Sequence, residues 1–116
     1  MIKQIFIERD VLVAELGEIY SNDTISAIVN LLKNPQVFSS KGVVVDFKLL
    51  RGVDSLGPEL FWLKREMQKK QKTDLIFCNL SDELDERLNT FGVESGYEPI
   101  QNFESKEKAI DFILSQ

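Results

Sequence analysis

The side chains of this sequence that could do chemistry gather in one stretch, residues 42–67, GVVVDFKLLRGVDSLGPELFWLKREM. Ser55 lies in Asp54-Ser55-Leu56-Gly57, directly before a run with helical spacing. The first backbone N–H groups of a helix have no partner within it and point outward. Together with the positive end of the helix dipole they stabilise an anion placed there. A serine at such an entrance is both a good cap and a good phosphate carrier. Its phosphorylation adds about −1.5 to −2 charges, next to the like charge of Asp54. A docking surface built around the neutral cap is then switched off locally. The competing reading is plain helix capping by Ser55 or Asp54, since a short D-S-x-G is made of common cap residues.

Four further groups could also act. Phe61 and Trp62 fall on the flanks of the helix stripe rather than on it. Aromatics of this kind can form a partner-docking patch. Packing against a neighbouring loop or helix is the alternative, and is preferred for Phe61. Asp46 ends an apolar run, as the phosphate acceptor of a receiver domain does. That chemistry needs an acidic pair after the first strand and a lysine after the last. Here Glu8 and Asp10 fall in a hairpin turn, so Asp46 is expected to hydrogen-bond backbone in the loop before Ser55. Asp82, Glu83, Asp85 and Glu86 form an acidic run at a helix start, which reads as dipole partners and solvated surface. The lysine cluster at 69–72 reads as a solvated helix end, on a helix whose C-terminal half also carries Lys64 and Arg65.

Composition narrows the classes. Histidine is absent, which removes Ser–His and Cys–His pairs and the commonest zinc ligand. No paired catalytic carboxylates at a readable spacing and no glycine-rich phosphate loop stand out. A non-enzymatic role without cofactor or metal is expected. The formal net charge of −5 speaks against nucleic acid and anionic membrane surfaces. Cys78 is the only cysteine and lies in an apolar run, which suits an inert core thiol in a reducing compartment. The N-terminal apolar run is too short for a signal peptide, and no run reaches the roughly 20 apolar residues of a membrane span. The expected location is the cytoplasm.

The elements that position these groups follow from periodicity. Ile2–Ile7 and Val11–Leu16 read as strands joined by a polar turn at residues 8–10, hence an antiparallel hairpin. Ser21-Asn22-Asp23-Thr24 opens a helix whose inner face is Ile25, Ile28, Val29 and Leu32, stopped by Asn34-Pro35. Residues 36–41 read as a loop. The β-branched run 42–47 does not alternate, so it reads as a central strand covered on both faces and parallel to its neighbours. After a connection at 48–53, Leu56, Leu60, Leu63 and Met67 make the stripe of a second helix. Residues 74–78 form another buried strand. Ser81 caps a helix with Leu84, Leu88 and Phe91 inward, and Gly92 reads as its left-handed stop. Residues 96–103 allow a short edge strand at most, given Pro99. Ser105 opens a last helix with Ala109, Phe112 and Ile113 inward. The order predicts one α/β domain over residues 1–116, with a mixed sheet of four to five strands and about four helices.

This chain resembles the STAS domains, the anti-sigma factor antagonist family. The resemblance covers nearly its whole length. Its most specific part is VVVDFKLLRGVDSLG, a hydrophobic strand ending in aspartate, a short loop, then Asp-Ser-x-Gly opening a helix. LIFCNLSDELDERLNTFGV and FESKEKAIDFI are similar to later segments of the family. The resemblance implies a STAS-like fold and a phosphoacceptor role for Ser55, supported by Asp46, Asp54 and Gly57. It implies as partners a serine-kinase anti-sigma factor, bound when Ser55 is unphosphorylated, and a PP2C-like phosphatase. A monomer or weak dimer is expected. Two positions depart from the pattern. Leu56 replaces a common Ser or Thr and removes a hydroxyl. Pro58 replaces a small or apolar residue and removes an N–H donor. They motivate a second expectation: an unphosphorylated STAS-type interaction or ligand-binding module in a lipid-transport or sensory complex.

Overall fold

A computed structural model describes residues 2–53, 59–67, 69, 74–97 and 99–116. The chain begins with β1 (Ile2–Glu8) and β2 (Val11–Leu16), paired antiparallel. Arg9 and Asp10 both take positive φ, 53° and 65°. That is the geometry of a two-residue turn whose twist matches the strands it joins. Then come β3 (Ile19–Tyr20), α1 (Asn22–Leu32), α2 (Pro35–Ser39), β4 (Val43–Asp46), β5 (Gly52–Val53), α3 (Glu59–Glu66), β6 (Leu75–Cys78), α4 (Asp82–Glu94), β7 (Asn102–Phe103) and α5 (Lys106–Leu114).

The main sheet has the order β1-β2-β4-β6-β7, and every pair after the first is parallel. All four residues of β4 and of β6 are buried, as expected for strands covered on both faces. On one face Leu12, Ala14, Val43, Val45, Leu75 and Phe77 pack with Ile28, Leu60, Leu63, Leu84 and Leu88 from α1, α3 and α4. On the other, Val11, Val13, Val44, Ile76 and Cys78 pack with Ala109, Ile110 and Ile113 of α5. The mixed sheet, the N-terminal hairpin and the helices follow the expected plan.

Three details differ from the sequence reading, each for a local reason. Pro35 does not merely end α1; it opens α2, with the Val37 N–H donating to the Asn34 carbonyl at 3.0 Å. Proline is tolerated in a first helical turn because its missing N–H has no partner there. The connection at 48–53 contains β5, which pairs in parallel with β3, anchored by the Arg51 and Gly52 N–H groups on the Glu18 carbonyl. Gly92 is not a helix stop. It lies inside α4, and Gly96, at φ 82°, is the left-handed residue beyond the helix end.

Candidate functional site

The C-terminal ends of β4 and β6 meet at Asp46, which is almost fully buried. A buried carboxylate needs partners, and two are in place. The Lys48 N–H donates to Asp46 Oδ1 at 2.9 Å, and the Asn79 side-chain amide donates to the same oxygen at 2.9 Å. The bond from Lys48 matches the backbone role expected of Asp46. Asn79 holds a left-handed conformation, φ 61°, which asparagine tolerates better than most residues. Its own N–H donates to the Phe103 carbonyl at 2.9 Å. Asn102 clamps the next peptide: it accepts from the Leu80 N–H at 3.0 Å and donates to the Leu80 carbonyl at 2.9 Å. The strand ends from which the loops emerge are therefore locked by side chains. The signal for Asn79 in the sequence was an asparagine directly after a buried strand.

Cys78 lies beside this knot and is fully buried. Burial, reinforced by the Asp46 charge and hydrogen bond, pushes its thiol far up from the usual cysteine range. It is an inert core thiol and not a nucleophile.

The expected phosphoacceptor Ser55 and its supports Asp54 and Gly57 lie outside the described residues, as do Leu56 and Pro58. The segment 54–58 runs from the end of β5 to the start of α3. Leu60 and Leu63 of α3, and Met67 directly after it, are buried as the stripe required.

The two flanking aromatics separate. Trp62 is exposed, with 53% of its surface accessible. Phe61 is 4% exposed. Its ring stacks on Tyr97 with centroids 5.3 Å apart and approaches Phe91 at 6.4 Å. Gly92 makes this possible: a Cβ there would lie 2.5 Å from Phe61 Cζ. Phe61 is thus a packing residue between α3 and α4, and of the pair only Trp62 presents a free face.

Sequence reasoning did not find the cleft of about 370 Å³ bounded by Phe61, Lys64, Arg65, Tyr97 and Ile100. Lys64 reaches back to the sheet, donating to the Leu75 carbonyl at 2.6 Å. Burial lowers its ammonium pKa, partly opposed by Asp74. Among the described residues no helix is long and apolar enough to cross a membrane.

No protein-family model matches the sequence, and no curated protein is similar enough to count as a match. Solved structures do match. The anti-sigma factor antagonist SpoIIAA in its unphosphorylated form aligns at TM-score 0.67 and 18% identity, over 97% of this chain and 98% of that one. A form of RsbS from Moorella thermoacetica aligns at TM-score 0.71 and 17% identity, over 97% and 94%. A sulfate transporter family protein from Wolinella succinogenes aligns at TM-score 0.73 and 19% identity, over 95% and 89%. The chain has the SpoIIAA-like, STAS-type fold.

Proposed function

We propose that residues 1–116 form one STAS-like, non-enzymatic switch domain of the anti-sigma factor antagonist kind, with Ser55 as phosphoacceptor. The observation that carries this reading is the order of its parts. A buried strand ends in the hydrogen-bonded Asp46, and the segment holding Asp54-Ser55-Leu56-Gly57 leads into α3. This arrangement stands within a fold shared from end to end with SpoIIAA. Unphosphorylated, the chain docks on a serine-kinase anti-sigma factor in the cytoplasm. Phosphate on Ser55 adds charge beside Asp54 and ends docking, and a PP2C-like phosphatase restores it. Asp46, Asp54 and Gly57 support the phosphoacceptor, and Trp62 supplies an apolar anchor for the partner. The test is binding to the partner kinase by calorimetry. Ser55→Ala keeps the affinity and Ser55→Asp weakens it; equal binding by both removes the switch.

The likeness to a sulfate transporter family protein favours a second reading: a constitutive interaction module with Ser55 unmodified. Co-purification with a transporter from the source cell, with an unmodified serine, selects it over the first.

A further inference from the structure

β1 is an edge strand of the main sheet, and no strand lies on its outer side among the described residues. Its residues Ile5 and Ile7 are among the exposed large hydrophobic residues, at 44% and 51% of their surface. Exposed apolar edges of this kind are usually blunted, because unpaired N–H and C=O groups template further pairing. The other edge is blunted: β7 has two residues. β1 has seven.

Which backbone groups of β1 face outward follows from the hairpin. The two-residue turn at Arg9 and Asp10 makes Glu8 and Val11 the hydrogen-bonded closing pair. Alternation then directs the groups of Glu8 and Phe6 toward β2, and those of Ile7 and Ile5 away from it. The Ile5 and Ile7 side chains lie on the face of Leu12 and Ala14, and Phe6 lies on the opposite face, opposite Val13. On that face the Lys106 ammonium stands 5.1 Å above the Phe6 ring and 3.0 Å from Glu8 Oε1.

The segment Gln4-Ile5-Phe6-Ile7-Glu8 is nearly a palindrome about Phe6. We propose that β1 pairs antiparallel with β1 of a second copy of this chain, with Phe6 on the two-fold axis. In that register Ile5 of each copy opposes Ile7 of the other. Their outward N–H and C=O groups satisfy one another, and four exposed isoleucine side chains cover each other on one face. Gln4 opposes Glu8 of the second copy, an amide donor against a carboxylate acceptor. A two-fold pairing keeps each face of the sheet continuous only if opposed positions sum to an even number. One neighbouring choice, with Ile7 opposite Ile7, sets Ile5 against Arg9 of the turn; the other, with Ile5 opposite Ile5, sets Lys3 against Ile7. It also draws in the register shift between Ile2 and Gln4, where an extra residue interrupts pairing. The Phe6-centred register avoids that irregularity. Because the contact is the same patch on both copies, it closes as a dimer and does not propagate. Five paired residues make a small interface, so the dimer is weak.

Sedimentation of the full chain over a range from low micromolar to about a millimolar tests this. The apparent mass rises from one chain toward two. Ile5→Lys and Ile7→Glu each weaken association by more than about tenfold, since symmetry applies each change twice. Mixed together they associate again, because Lys at 5 then faces Glu at 7 while Ile7 faces Ile5. Both positions are exposed, so each variant keeps the native circular dichroism spectrum. Amide exchange at Ile5 and Ile7 slows with protein concentration, and at Phe6 it does not. A chain that stays monomeric throughout, or a dimer indifferent to both substitutions, overturns the proposal. An Ile7→Glu homodimer tighter than the parent overturns the register, since that result places Ile7 against Lys3.

Discussion

The amide of Asn79 and the carboxylate of Asp46, 33 residues apart in sequence, are joined by a 2.9 Å hydrogen bond across the ends of β4 and β6. The same oxygen also accepts from the Lys48 N–H, so one buried acceptor holds a side chain and the start of a loop. Asp46→Ala leaves both donors without this partner. Loss of charge-assisted bonds of this kind costs about 2 kcal/mol. Asp46→Asn keeps an oxygen in place and costs less. Denaturant unfolding of the three proteins gives the order, and equal stability of the parent and the alanine variant would deny Asp46 its structural role.

Gly92 and Phe61 form a second such relationship. Gly92→Ala drives a methyl into the Phe61 ring, whose Cε1 and Cζ stand 2.7 and 2.5 Å from the built Cβ. Overpacking of this size costs about 1–3 kcal/mol. Phe61→Leu frees that space, so the double variant loses less than the sum of the two single changes. An additive double-mutant cycle would contradict the packing account.

Cys78 predicts a pH dependence. Its folded pKa is raised, first by burial and then by Asp46. The unfolded thiol ionises near the ordinary value of about 8.5, so above that pH the native state holds the extra proton. Its stabilising contribution is complete below the unfolded pKa and is lost as pH rises toward the folded one. The slope is at most about 1.4 kcal/mol per pH unit for one proton. Lys64, whose folded pKa is lowered, acts in the opposite direction at alkaline pH. The measurement is therefore the difference between the parent and Cys78→Ala, followed by unfolding from pH 7 to alkaline pH. The parent falls more steeply. Parallel curves, or rapid alkylation of Cys78 in the folded protein, would contradict its assignment as a sealed thiol.

Trp62 separates stability from binding. An exposed ring on α3 contributes little to folding, so Trp62→Ala shifts stability by no more than about 0.5 kcal/mol. As an anchor for the partner its loss lowers affinity by about tenfold or more. Unfolding and calorimetry on one preparation read both quantities. An unchanged affinity would remove Trp62 from the docking surface.

Much of the fold was legible in the sequence because its signals are local. The turn at Arg9 and Asp10 forces a hairpin, and the unbroken apolar runs of β4 and β6 mark strands covered on both faces. Ser81 and Ser105 cap their helices with side-chain oxygens, as their positions implied. What escaped was decided elsewhere in the chain. Two residues such as Gly52 and Val53 carry no period, and only β3 makes them a strand. Pro35 is a stop and a start at once, and the residues after it decide which. Gly92 looked like a helix end because glycine often is one; its real constraint is the ring of Phe61, 31 positions earlier. Packing was the preferred reading for that ring, as found; which residues it meets, Phe91 and Tyr97, depends on how close α4 approaches, which helical angle alone does not say. At the candidate site, the backbone bond of Asp46 was foreseen, whereas its link to Asn79 depends on the register of β4 against β6.

The proposed switch rests on one hydroxyl, that of Ser55. The full chain, incubated with its partner serine kinase and ATP, should gain the mass of one phosphate, and peptide mapping should place it on Ser55. Ser55→Ala should gain none. Phosphate on another residue, or none on the parent under conditions where the kinase is active, would contradict the account.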